Sequence, residues 1–362
     1  MIRVVISPAA FRESFTGLEV ADAIEFGVRQ ALPDADIVCM PISDGGPELL
    51  AALDRVLGGR AERVEVTGPV GVRVEARILW LDSATAVIAS AEACGLHLVA
   101  PGDRNPCLTH SRGVGELMTH AANTGATSII IGLGGSGTVD GGAGMARALG
   151  FSFLDAQGIG LEDGGCALAT LARIEPPPAA TPPTDLAASV LALADVTSPL
   201  LGPDGAARRF GPQKGATDEQ VELLETGMER LAECAARDLG REVAGLPGAG
   251  AAGGLGAGLA SFAGASLVPG AHWVLDRIGF FGEARGADLV ITGEGSWDEG
   301  SMLGKGPAEV LAEARRYGCR AILVTGRVAG GLPEDVEVVG GGGQTLTLAD
   351  ITRLVRKACL DR

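Results

Sequence analysis

Residues 2–42, IRVVISPAAFRESFTGLEVADAIEFGVRQALPDADIVCMPI, decide the fold class. IRVVIS is a short β-branched run that reads as a strand, and DIVCMPI is a second one. Between them LEVADAIEFGVRQAL repeats its apolar residues at helical spacing. PELLAALDRVL then reads as a helix and RVEVTG as a strand, so residues 1–67 spell βαβαβ. The C-terminal part keeps the same rhythm through ADLVITG, PAEVLAEARRYG, RAILVTG, DVEVVG and TLADITRLVRKAC. Both ends read as doubly wound α/β, and the middle is long enough to be a domain inserted between them.

Composition narrows the function classes. At 362 residues, 46% hydrophobic and 20% charged, the chain can bury a large core and does not read as disordered. A net charge of −16 argues against a duplex nucleic-acid partner, because phosphate binding needs concentrated Lys and Arg. A small anion can still bind locally. The N-terminal apolar run is too short for a signal peptide, so a cytoplasmic protein is expected. Residues 243–275 carry no Asp, Glu, Lys or Arg, yet nine glycines and two prolines make them a packed interior segment rather than a membrane span. PPPAATPP at 176–183 reads as a surface polyproline loop. The seven cysteines are odd in number and lack CxxC spacing, so reduced thiols are expected, with neither a disulfide nor a zinc site.

The densest glycine stretch is GLGGSGTVDGGAGM at 132–145, seven glycines in fourteen residues after the strand-like SIII. Such a backbone either turns with positive φ or is approached closely, and a phosphate is the candidate visitor. GLGGSG matches the dinucleotide fingerprint GxGxxG, with Asp155 where a ribose-binding acid could stand. Thr138-Val139-Asp140-Gly141-Gly142 interrupts the helix that fingerprint requires, which leaves a nicotinamide-type oxidoreductase as a remote alternative. The favoured reading is an anion nest leading into the N-terminus of a helix at 143–149, with Asp140 either functional or a cap.

Three lysines stand against 26 arginines, and two of them lie in glycine-bearing loops: Lys214 in FGPQKGAT and Lys305 in GSMLGKGP. Lysine is a compact point charge suited to a phosphate oxygen. Four carboxylates follow strand-like runs: Asp44, Asp195, Glu294 and Asp298. Ligand crevices of open α/β sheets lie at such strand ends. Acids that bridge a metal, together with cations for a transferred phosphate, fit magnesium-dependent phosphoryl transfer. The four histidines form no ligand pair.

SPAAFRES, SDGG, RNPCLTHSRGVGEL, GLGGSGTVDGGAGM, ADVTSPLLGP, FGPQKGAT, LPGAGAAGGLGAG and ITGEGSWDEGSMLGKGP occur in the order and spacing of the bacterial glycerate kinase family. The chain resembles that family over nearly its whole length. The resemblance implies a Rossmann-like domain over 1–67 and 286–362 and an inserted α/β domain over 68–285. It also implies ATP and Mg²⁺ as cosubstrates and D-glycerate or a related small hydroxy acid as acceptor, with a 2-phosphoglycerate type of product.

On these grounds Asp44, Asp195, Glu294 and Lys305 are assigned to catalysis, and Asp195, Glu294 and Asp298 to the metal. Gly134, Gly135, Ser136, Asp140, Gly141 and Lys214 are assigned to the nucleotide, together with Gly293 and Gly295. Arg12, Ser296 and Asp298 are assigned to the anionic acceptor. Nucleic acid and membrane are not expected partners, and a homodimer is left open.

Polar groups of the family are missing inside these motifs. Ala9, Ala10, Val139 and Ser296 stand where the family reads Asp, Ser, Asn and Arg, and Ser198 replaces another Asn. These departures suggest an acceptor pocket reshaped for another substrate, for example a hydroxyphosphonate, or a paralogue without catalysis.

Overall fold

The computed structural model describes residues 1–11, 14–178, 188–194, 196–301, 306–332, 335–343 and 345–361. The strands among them are, in chain order, β1 (Arg3–Ile6), β2 (Asp36–Cys39), β3 (Arg60–Thr67), β4 (Arg73–Trp80), β5 (Thr85–Ala89), β6 (Ser128–Leu133), β7 (Ser152–Leu154), β8 (Arg173–Glu175), β9 (Ser189–Ala194), β10 (Ser266–Pro269), β11 (Leu289–Trp297), β12 (Arg320–Val328) and β13 (Val336–Gly340). The chain divides into two compact units. One comprises Met1–Asp44, Ala51–Gly58 and Gly270–Arg362, the other Gly45–Leu50 and Gly59–Pro269. Both are α/β, as expected.

The first unit is built on a five-stranded, all-parallel sheet in the order β13-β12-β11-β1-β2. Counted within that sheet the order is 2-1-3-4-5, one of the doubly wound orders. The order reverses between β1 and β11, where Ala9 N–H donates to Gly293 O at 2.9 Å just past the end of β1. Helix Gly17–Ala31 starts at a capping box made by Thr16 and Glu19. It buries Val20, Ile24 and Val28 against helix Leu348–Leu360, which supplies Ile351 and Val355. Gly27 permits this: a Cβ there would lie 2.6 Å from Thr352 O.

The second unit is built on a six-stranded sheet in the order β10-β9-β6-β5-β4-β3, with a small β7-β8 ladder apart from it. Its four strands from β10 to β5 are parallel, whereas β4 and β3 run antiparallel to their neighbours. Ile78, Ile88, Ile129 and Ile131 form the centre of its core with Leu117 and Met145.

Here the expected boundaries shift. The strand at 60–67, read as the third of an N-terminal βαβαβ, pairs along its whole length with β4 in the second sheet. The turn between them closes with Gly68 N–H on Val72 O at 2.7 Å. The alternation Glu62-Arg63-Val64-Glu65-Val66, half exposed, is the signature of an antiparallel edge strand, and it was present in the sequence. At the other boundary, helices Gly270–Arg277 and Phe280–Arg285 belong to the first unit.

Two further expectations meet the structure. Residues 243–275 contribute helix Ala251–Phe262, buried among the second unit's core, and among the described residues no helix is long and apolar enough to cross a membrane. The expectation of seven reduced cysteines is corrected, because Cys107 and Cys166 are joined by a disulfide with their Cα atoms 4.5 Å apart. Their juxtaposition comes from tertiary packing: Cβ positions on Gly164 and Gly165 would meet Cys107 O and Val139 O. A spacing of 59 residues carries no such information. Most of the Pro cluster, 179–183, lies outside the described residues.

Candidate functional site

The loop after β6 shows what its bare backbone is for. A Cβ on Gly132 would sit 2.4 Å from Gly45 O, and one on Gly134 2.7 Å from the Gly46 Cα, so Gly45 and Gly46 lie directly on this loop. On the other flank the loop meets the Gly-rich start of helix Ala251–Phe262. Cβ atoms on Gly254 and Gly258 would fall 2.8 Å from the Gly141 Cα and 2.5 Å from Gly141 O, and Gly141 N–H donates to Gly253 O. Gly142 has φ +77° and faces the Gly258 Cα at 2.9 Å, so it needs both the left-handed backbone and the missing side chain. Much of the glycine content is therefore consumed by backbone packing within the protein. Opposite the loop, Ala252, Gly253 and Gly254 are three consecutive left-handed residues, with Ala252 at φ 53°.

Asp140 is 1% exposed. Its carboxylate accepts from Ser111 N–H and Ser111 Oγ at 2.8 Å each, from Gly144 N–H at 3.0 Å and from Gly142 N–H at 3.1 Å. Ser111 Oγ in turn accepts Met145 N–H at 3.0 Å. The N-terminus of the short helix Ala143–Ala148 is thus already filled by a carboxylate and a hydroxyl of the protein. The cap reading of Asp140 prevails, and no anion has room at that helix end.

Ahead of Asp140 the loop is different. Gly135 is exposed, and the amides of Gly135 and Ser136 have no partner among the described residues. Leu96 N–H donates to Gly135 O, Gly137 N–H to Cys94 O, and Thr109 Oγ to Gly137 O, so the backbone here is strapped on both sides. Below it lies Lys214, 3% exposed, donating from Nζ to Ser136 Oγ at 2.9 Å and to Thr138 O at 2.8 Å. Burial lowers the Lys214 ammonium to about 8. Burial pushes the neighbouring Cys94 thiol up to about 12, with Asp140 adding to the rise, so Cys94 is a neutral thiol at ordinary pH. The buried hydroxyls of Ser90 and Ser198 have no hydrogen-bond partner among the described residues. A chain stretch with unpaired amides, spare hydroxyls and a buried cation is chemically suited to an anionic oxygen.

In the first unit the carboxyl ends of β1 and β11 meet at the reversal of strand order. Gly293 and Gly295 are not loop glycines, because β11 continues to Trp297 in register with β12, Glu294 opposite Thr325 and Ser296 opposite Arg327. Gly293 is bare because β12 and Phe11 crowd it: its Cβ would lie 2.7 Å from Val324 O and 3.4 Å from Phe11. Alternation along the strand puts Glu294 and Ser296 on the same face, Glu294 buried and Ser296 exposed. Asp298 holds a turn, accepting Ser301 N–H while its own N–H donates to Ser301 Oγ, both at 3.1 Å.

Similarity to known proteins follows the same path. The profile of the glycerate kinase family matches residues 4–349. A glycerate kinase of Haemophilus influenzae is 42% identical over 93% of this chain and 88% of its own length. The glycerate 2-kinase of Escherichia coli K12 is 40% identical over 98% of this chain and 91% of its own length. A crystal structure from Salmonella typhimurium LT2, provisionally named glycerate kinase 2, superposes with a TM-score of 0.84 at 42% identity, covering 99% of this chain and 96% of that one. The chain belongs to the glycerate kinase family.

As a member of the glycerate kinase family it is a phosphotransferase with a hydroxyl acceptor. Within the second unit, the structure brings together Gly134, Gly135, Ser136, Asp140, Gly141 and Lys214 from the assigned nucleotide set. Asp140 and Gly141 serve the loop's own architecture there. Asp44 is half-buried at the end of the first unit's first chain segment, and Glu294, Ser296 and Asp298 gather at the end of β11. Arg12, Asp195 and Lys305 lie outside the described residues. Among the described residues no three His, Cys, Asp or Glu side chains group as metal ligands.

The dinucleotide fingerprint fails on geometry, since no helix begins until Ala143, six residues past Gly137. Sequence reasoning missed Ser111 and Thr109, which organise the loop from 29 and 28 residues away. Both stand in the quoted segment RNPCLTHS, the one signal that could have pointed to them. Val139 is not in a polar pocket. It packs with Cys107, Ala207 and Leu224 in an apolar cluster, so its difference from the family's Asn is a matter of packing.

Proposed function

We propose that this chain transfers the γ-phosphoryl group of ATP, with Mg²⁺, to a hydroxyl of glycerate, giving a 2-phosphoglycerate product. The observation that carries the reading is 40% identity with a glycerate 2-kinase across 98% of the chain. The loop chemistry fits it, because phosphoryl transfer asks the protein for positioning and for charge where the transferred oxygens lie. The unpaired amides of Gly135 and Ser136, backed by the Lys214 ammonium, are the described groups that would receive a phosphate. Mg²⁺ commonly keeps water and phosphate ligands and asks one or two carboxylates of the protein, a requirement that Glu294 or Asp298 can meet. Bound there, the ion would neutralise charge on the phosphates.

A second acceptor is favoured by one observation. Ala9 lies beside Gly293 at the strand-order reversal, where such sheets take their ligands, and it lacks the carboxylate of the family. An ATP-consumption assay over D-glycerate, tartronate and hydroxyphosphonates, with NMR assignment of the phosphorylated position, tests both. Turnover of D-glycerate to 2-phosphoglycerate is the expected result. Turnover confined to another acid would move the substrate while keeping the kinase.

A further inference from the structure

Among the described residues, Lys214 is a buried cation with no carboxylate in hydrogen-bond contact. Among the described residues it forms no ion pair, and its two hydrogen bonds go to neutral oxygens, Ser136 Oγ and Thr138 O. The titratable groups that face it are the Cys94 thiol and Asp140. Cys94 stays neutral, and among the described residues the hydrogen bonds to the Asp140 carboxylate come from Ser111, Gly142 and Gly144. The Phe210 ring also lies nearby, with its centroid 6.0 Å from Nζ. The Asp140 charge offsets the lost hydration of this lysine only in part, because burial still lowers the ammonium, and such a shortfall is costly unless something else supplies charge.

The loop above it is where that charge can come from. Ser136 carries the Lys214 hydrogen bond on its hydroxyl, while its amide and that of the exposed Gly135 are unpaired among the described residues. An ammonium has three donors and Lys214 uses two.

We infer that Lys214 is a positioning residue whose counter-charge is the ligand: an anionic group, phosphate or carboxylate, seats on the Gly135–Ser136 amides, and Lys214 acts on it through Ser136 from beneath the loop. This rests on the kinase reading, which supplies the anionic ligands, and it departs from a lysine that touches the phosphate directly. A consequence separates it from a structural strut. The ammonium, lowered to about 8 by burial, must recover its ordinary affinity for a proton when the anion arrives, so binding takes up a proton above that pH.

The test is isothermal calorimetry at pH 8.5 in two buffers of different ionisation enthalpy, titrating Mg·ADP in one arm and D-glycerate in the other. With a free-state value near 8, about a quarter of Lys214 is protonated at that pH, so the arm whose anion sits on the loop should take up roughly 0.7 proton per site. Lys214→Met should abolish the uptake and weaken that arm at least tenfold, and the melting temperature of the variant establishes that it is folded. Ser136→Ala, which keeps the lysine and removes the relay, should reduce both effects. Uptake in the ADP arm assigns the loop to phosphate, and uptake in the glycerate arm assigns it to carboxylate. Binding without uptake in either arm, or uptake unchanged in Lys214→Met, overturns the inference alone. Absence of binding by both ligands overturns the kinase reading and the inference with it.

Discussion

Asp140 and Ser111 are joined by two hydrogen bonds of 2.8 Å across 29 residues of chain, one to the Ser111 amide and one to its hydroxyl. This pair ties the segment before helix Arg112–Asn123 to the glycine loop, and with Gly142 and Gly144 it closes the N-terminus of the next helix. Asp140→Asn keeps the shape but replaces an acceptor oxygen by a donor that must face amides. It should cost about 2–4 kcal/mol of unfolding free energy in urea titration. An unchanged midpoint would return Asp140 to the role of a ligand contact.

The pH dependence of Lys214 has a definite sign. Its folded value of about 8 is below the ordinary 10.5, so between those limits the unfolded chain binds more protons and stability rises with pH. The destabilisation is fully present below about 8. Comparing wild type with Lys214→Met, the difference in unfolding free energy should move in favour of the wild type by about 2–3 kcal/mol from pH 7 to pH 10. A flat difference would mean that the lysine is not desolvated. Turnover of the same variant should fall on the order of 10² or more.

Backbone interlocking predicts a contrast between two glycines. Gly258→Ala would push a methyl to 2.5 Å from Gly141 O, whereas the Cβ of Gly245→Ala would meet nothing within 4 Å. The first should lose about 2 kcal/mol or more and impair activity through the loop, and the second should stay within about 0.5 kcal/mol of wild type. Differential scanning calorimetry beside steady-state kinetics reads both.

Val139→Asn restores the residue type the family carries. In this chain it would bury an amide among Cys107, Ala207 and Leu224, at a cost of about 1–3 kcal/mol. No gain in D-glycerate kcat/KM is expected. A gain would place the side chain in the acceptor site after all.

Local periodicity carried the reading of the parallel sheets, because strand and helix spacings need only neighbouring residues: β1, β2 and helix Gly17–Ala31 were legible from residues 2–42. Glycine density likewise marked the loop at 132–145 as a place of close approach. What approaches was decided in three dimensions. Gly45, Gly46, Gly254 and Gly258 come from distant parts of the chain, and nothing in their spacing says that they fill the space a ligand was expected to take. The partner of β3, the extension of β11 through Glu294 to Trp297, and the Cys107–Cys166 bond are of the same kind. Each depends on which strand or loop lies alongside, a non-local choice settled by packing. Residue identity announced that Lys214 and Asp140 were unusual. Burial decided that Asp140 is spent on four donors of its own protein, and that among the described residues Lys214 hydrogen-bonds only neutral oxygens.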